Sequence, residues 1–142
     1  MFVWHIQATA ECKSNPEMLY KLSTDVSHWS EWNSDIEWAR LDTTFCLGAT
    51  GIVKPKDSKP ISFRIAHVEK NRRFSVVIKK FLTTIVYRCE IVPVQENKVQ
   101  ITEGVVVGGL LAPLYKRVWG KNLQQQLPLA LQALVKLAKQ HI

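Results

Sequence analysis

After Gly108-Gly109 the hydrophobic period of the chain changes from that of strands to that of a helix. Upstream, six stretches read as strands: Ile36 to Leu41, Ala49 to Lys54, Ile61 to Glu69, Phe74 to Phe81, Leu82 to Val94 and Val99 to Val107. Turn-rich pieces such as KPKDSKP and QENK separate them. Downstream, Leu123, Leu127, Ala130, Leu134 and Leu137 trace one apolar stripe, the mark of a helix laid against a core. Pro128 falls inside that helix and predicts a kink without a break, because it removes one backbone hydrogen bond and displaces the preceding turn.

The chain also opens with a strand, in which Phe2, Trp4, Ile6, Ala8 and Ala10 alternate with Val3, His5, Gln7, Thr9 and Glu11. Ser14-Asn15-Pro16-Glu17 then reads as a capping box. Ser14 accepts from the first helical turn, Glu17 reaches back, and the helix runs to about Thr24. Asp25 is placed to cap a second short helical segment through DVSHWSEWNSDIEW, which holds three of the five tryptophans. Trp29 and Trp32 are three apart and share a face. Tryptophan couples a large apolar surface to an N–H that wants a partner, so this cluster is either a packed corner or the wall of an aromatic site. The expected order is one strand, two short helices, six strands and one long helix.

A length of 142 residues fits one domain over residues 1–142, with a core of its own. Hydrophobic residues at 46% and charged residues at 22% argue against disorder or a fibrous repeat. The longest nearly apolar run, Gly104 to Tyr115, is broken by Gly108, Gly109 and Pro113 and falls short of the roughly 20 residues a membrane span needs. No export signal is visible in MFVWHIQATAECK, so a cytoplasmic location is expected. Cys12, Cys46 and Cys89 are odd in number and widely spaced, and read as buried apolar residues rather than a disulfide framework or zinc site. His5, His28, His67 and His141 are dispersed, and HExxH, GxSxG and Gly-rich phosphate loops are missing, so no metal and no cofactor is expected. The net charge of +7 is scattered over strands, turns and the last helix without an aromatic-plus-basic module, which argues against a nucleic-acid partner.

Three segments carry a family resemblance: SNPEMLYKLSTD with HWSEWN, then IAHVEKNRRFSV, and finally GGLLAPLYKRVWGKNLQQQLPLALQALVKLA. From end to end the chain resembles the polyketide cyclase/dehydrase-like proteins of the START-like (SRPBCC) superfamily. The resemblance implies an α+β helix-grip fold: a seven-stranded antiparallel sheet wrapped around the long C-terminal helix, with two short helices after the first strand. It also implies an apolar cavity between sheet and helix and a small hydrophobic molecule as partner. Activities in the family range from lipid or hormone binding to cyclisation of polyketides. Such proteins place the WSEWN segment where short helices close one end of the grip, which favours packing for Trp29 and Trp32 over ligand contact.

Parity nominates the wall of that cavity. Trp38 lies opposite in facing to Glu37 and Ala39, Phe63, Ile65 and His67 share one strand face, and Ile85 and Tyr87 share another with Cys89 and Ile91. Tyr115 and Trp119 are four apart on the last helix. For His67 the ordinary role of a lone strand histidine, a hydrogen-bonded structural one, stands beside the functional one. Glu103 completes the expected ligand-binding set, because it shares parity with Val99, Ile101, Val105 and Val107. Buried without a partner, its carboxyl would rise in pKa and serve as general acid or base with Tyr87, whereas beside a donor it would anchor a ligand. The alternative is a bulged or mouth-facing strand that leaves it in water. Tyr87 is its expected neighbour, ahead of Arg64 on the opposite face. Three functions follow: a carrier or sensor of an apolar or aromatic ligand, which is the expected one, a cyclase- or dehydratase-type enzyme, and a basic surface module contacting anionic lipid or another protein.

Overall fold

The computed structural model describes residues 2–140, so His141 lies outside it. Its strands are β1 (Phe2–Cys12), β2 (Ile36–Leu41), β3 (Thr50–Pro55), β4 (Ile61–Glu69), β5 (Arg73–Lys80), β6 (Thr83–Gln95) and β7 (Lys98–Gly109). They form one antiparallel sheet in the order β1-β7-β6-β5-β4-β3-β2. Strands β2 to β7 are a meander, and β1 closes on β7 with unbroken register from Phe2↔Gly109 to Cys12↔Val99. The helices are α1 (Pro16–Thr24), a 3₁₀ segment (Val26–Glu31) and α2 (Ala112–Lys139). The sheet curls around α2, the helix-grip α+β arrangement that the sequence implied.

The core lies where the inner face of the sheet meets α2. Leu127, Ala130, Leu131, Leu134 and Val135 of the helix are buried together with Cys12, Ile101 and Phe74 of the sheet. The apolar stripe read from Leu123 to Leu137 is therefore the face that the sheet grips, and α2 continues through Pro128 as one helix. Trp4 fixes where the helix starts, its indole N–H donating to the Ala112 carbonyl at 2.6 Å.

Several local expectations are corrected. The cap of α1 is Asn15, whose side-chain oxygen accepts from the Met18 N–H at 2.8 Å, while the Ser14 hydroxyl is buried without a partner. Proline tolerates only the first helical turn, so the cap falls on the residue immediately before Pro16. Asp25 does occupy the cap position of the 3₁₀ segment, but its carboxylate binds the Ser27 hydroxyl and the His28 ring instead of a backbone N–H. Cys46 is exposed in the irregular segment between β2 and β3, unlike buried Cys12 and Cys89. Phe81 and Leu82 belong to no strand; they are the two-residue turn between β5 and β6.

Candidate functional site

An apolar cavity of about 230 Å³ lies between the inner face of β3, β4 and β5 and the 3₁₀ segment with the loop that follows it; no residue of α2 lines it, where the sequence implied a cavity between sheet and helix. Trp29 and Trp32 form its end wall, Val53, Ile61 and Phe63 one side, and Val76 and Ile78 the other. The local sequence explains this shape. Gly51 on β3 has no side chain, so the Phe63 ring on the paired strand lies over its backbone, and that ring in turn meets Trp29 at 5.5 Å between centroids. A side chain at position 51 would collide with Phe63 and with the Arg40 carbonyl, so the glycine is required by close approach rather than by a turn.

The cavity continues into an outer groove of about 440 Å³ that reaches α2 at Trp119, Asn122 and Leu123. Asp35, Pro55, Ile61, Ile78 and Tyr87 line both spaces and mark the throat between them. On one side of the throat the loop after the 3₁₀ segment touches α2 through two long hydrogen bonds, Ser34 to Gln126 and Asn122 to Asp35, each 3.4 Å. Bonds this long are weak, so this edge of the grip is held more loosely than the core.

The polar equipment of the cavity is small. Trp29 donates its indole N–H to the Ser23 carbonyl at 2.9 Å. Trp32, equally buried, has an indole N–H with no acceptor among the described residues. The Tyr87 hydroxyl is likewise buried and unpartnered. A buried polar group without a partner is costly, and the usual explanation is a ligand or water that supplies one.

Glu103 faces inward, as its parity implied, and is only 1% exposed. Across the sheet it is flanked by Cys89 on β6 and Ala8 on β1, with Tyr87 one inward-facing position further along β6. Burial lifts its carboxyl from the ordinary range to about 7, and the neighbouring Tyr87 phenol draws it partly back. Burial and the adjacent Glu103 raise both the Tyr87 phenol and the Cys89 thiol well above their usual values, so both stay protonated near neutrality. The carboxyl and the phenol are close enough to bias each other but do not make a well-formed hydrogen bond. Glu103 is not part of the cavity wall; Tyr87 stands between it and the open space.

The other nominated residues separate. Phe63 lines the cavity, Ile85 and Trp119 line the groove, and Ile65 is fully buried in the core away from both. Tyr115 stacks on Trp119 at 4.5 Å between centroids and packs beside Trp4 and Val107, outside the cavity wall. Two nominations are overturned by bulges. In β2 the register shifts between Ile36 and Trp38, which turns Ala39 inward and Trp38 outward, where its 36% exposed ring carries the Arg40 guanidinium. In β4 the shift falls between Ile65 and His67 and sends the imidazole to the outer face, bonded to Glu69 at 2.7 Å. There it joins a depression lined by His5, Arg73, Arg88 and Thr102, far more polar than the inner cavity.

Sequence reasoning left out Val76 and Ile78, although their parity with Phe74 would have nominated them, and Asp35, for which no sequence signal existed. Among the described residues no cluster of metal-ligating side chains occurs, and no helix is long and apolar enough to cross a membrane.

No protein-family model and no curated protein sequence matches the chain. Solved structures do. The Zhui aromatase/cyclase from Streptomyces sp. R1128 superimposes with a TM-score of 0.80 at 9% identity, covering 97% of this chain and 94% of that one. A START superfamily protein from Mycobacterium smegmatis gives 0.75 at 16% identity, with 97% and 99% covered. Norcoclaurine synthase from Thalictrum flavum, in complex with dopamine and hydroxybenzaldehyde, gives 0.76 at 11% identity, with 99% and 89% covered. Identities this low speak for architecture alone, and on architecture they agree: the chain has the START-like helix-grip fold.

Proposed function

We propose that the protein binds a small, neutral, apolar or aromatic molecule in the cavity on the inner face of β3 to β5, as a carrier or sensor. The observation that carries this reading is an apolar cavity two of whose lining residues, Trp32 and Tyr87, each bear a buried polar atom without a partner, the indole N–H and the hydroxyl. The size supports a ligand of one or two rings, since a cavity of about 150 Å³ already accommodates benzene. The charge supports a neutral one. Among the described residues, Asp35 and the protonated Tyr87 are the ionisable side chains of the inner wall, and no Lys, Arg or His lines it to meet a carboxylate. The indole N–H asks for a ligand oxygen or nitrogen that accepts, and the phenol serves as either donor or acceptor.

Intrinsic tryptophan fluorescence tests this with 2-naphthol and 2-naphthoate, which differ in charge far more than in shape. Saturable binding of the naphthol, with the naphthoate much weaker, is expected. Trp32→Phe keeps an apolar ring and removes the donor, so naphthol affinity should fall roughly three- to tenfold, the worth of one net hydrogen bond. Equal binding of both probes, or an affinity indifferent to Trp32→Phe, would contradict the reading.

A second reading, acid–base turnover of the bound molecule, has one observation in its favour: a buried carboxyl whose pKa burial raises to about 7, beside Tyr87, a residue of the cavity lining. In that case Tyr87 is the group that touches the ligand, and Glu103 acts through it as a positioning residue that holds or releases the proton. Consumption of a bound ligand that ceases in Tyr87→Phe would mark this second function.

A further inference from the structure

One end of the molecule gathers apolar side chains that cover nothing. Phe81 and Leu82 form the turn between β5 and β6, with Phe81 77% exposed. Beside them the Leu111 N–H donates to the Leu82 carbonyl, and Gly109 is paired with both Phe2 of β1 and Thr83 of β6. These contacts bring exposed Phe2, Phe81, Leu82 and Leu110 to the same edge, and Leu114 and Val118, one helical turn apart and both exposed, extend the patch along the start of α2.

The turn chemistry is unusual in the same place. The β3–β4, β4–β5 and β6–β7 connections put Asp57, Asn71 and Asn97 in the left-handed backbone region, the residue types that tolerate it. The β5–β6 turn puts Leu82 there, at φ 52°. A leucine about half exposed at a backbone position that favours asparagine or glycine is out of place for folding alone, which points to a contact outside the chain.

Charge identifies that contact. Lys79, Lys80, Lys116, Arg117 and Lys121 stand around the patch, and none of them is in an ion pair among the described residues. The sequence supplies no counter-charge, for no Asp or Glu occurs from Lys70 to Cys89 or from Gly104 onward. Two such ends would repel each other, which disfavours a second copy as occupant. Aromatic and aliphatic side chains ringed by unpaired cations match the interface of a bilayer with anionic headgroups. We propose that this end, the β5–β6 turn with the first turns of α2, docks the protein on an anionic lipid surface. The groove leading to the cavity opens alongside, since Lys80 and Trp119 line it and pack on each other at 4.9 Å.

Sedimentation of the full chain with phosphatidylcholine vesicles, with and without phosphatidylserine, tests the proposal independently of any ligand in the cavity. Binding is expected only with phosphatidylserine and should weaken as salt rises. The exposed double variant Phe81→Ser with Leu114→Ser should lower the partition at least about tenfold, because each loses an inserted apolar group. Lys116→Glu with Arg117→Glu should lower it as well, and both variants should keep the wild-type unfolding midpoint. No binding to anionic vesicles, or binding that ignores the apolar variant, would overturn the proposal. So would self-association abolished by Phe81→Ser with Leu114→Ser, which would give this face to a second copy.

Discussion

At the scale of single residues, Glu103 decides how the molecule responds to pH. Its folded-state pKa of about 7 is raised above the ordinary carboxylate value, so the folded state holds the proton more tightly than the unfolded chain. The stability this gives is fully present below the unfolded pKa near 4.5 and is lost as pH rises through about 7. Glu103→Gln, which cannot ionise, should match the wild type near pH 4 and exceed it by up to about 3 kcal/mol at pH 8. Denaturant unfolding of both proteins across that range checks it; a wild type that gains on the variant as pH rises would mean that Glu103 has found a cationic or donor partner. The inward facing of Glu103 was legible in the sequence because β7 keeps its alternation without a break from Val99 to Val107. Trp38 and His67 were misplaced for the converse reason. Each follows a bulge, and one extra residue inverts every later side chain while leaving the apolar pattern looking regular.

At the scale of elements, the period change after Gly108-Gly109 and the stripe of α2 were readable because both depend on local spacing. The lining of the cavity was only half readable. Which inner-face residues touch α2 and which face open space depends on how tightly seven strands curl, and that is set by packing between strands distant in sequence. The β5–β6 turn offers an element-level prediction. Leu82→Asn supplies a residue suited to the left-handed conformation and should raise stability by about 1 kcal/mol, while weakening attachment to anionic vesicles. Opposite movement of these two quantities would show a turn kept for contact rather than for folding. A loss of stability in Leu82→Asn would show instead that Leu82 packs within the fold.

At the scale of the whole molecule, the two halves of α2 do different work. Its C-terminal half, from Leu127 onward, carries most of its buried side chains, while its N-terminal half packs Ala112 beside Trp4 of β1 and Val107 of β7, borders the groove with Trp119 and Leu123, and carries the exposed Leu114 and Val118. The groove and the exposed apolar end therefore meet at the first turns of α2, while Trp29, Trp32, Val53, Phe63 and Val76 of the cavity wall belong to the same core as Leu131 and Leu134. The central claim is that the cavity holds a neutral ligand against the free indole N–H of Trp32. Nitrogen–proton correlation NMR of the indole groups, recorded during titration with 2-naphthol, tests it most directly. The Trp32 indole resonance should move downfield and saturate, while that of Trp29, already bonded to the Ser23 carbonyl, stays nearly fixed. A Trp32 resonance that does not move, or saturable shifts confined to exposed Trp38 on the outer face, would contradict the account.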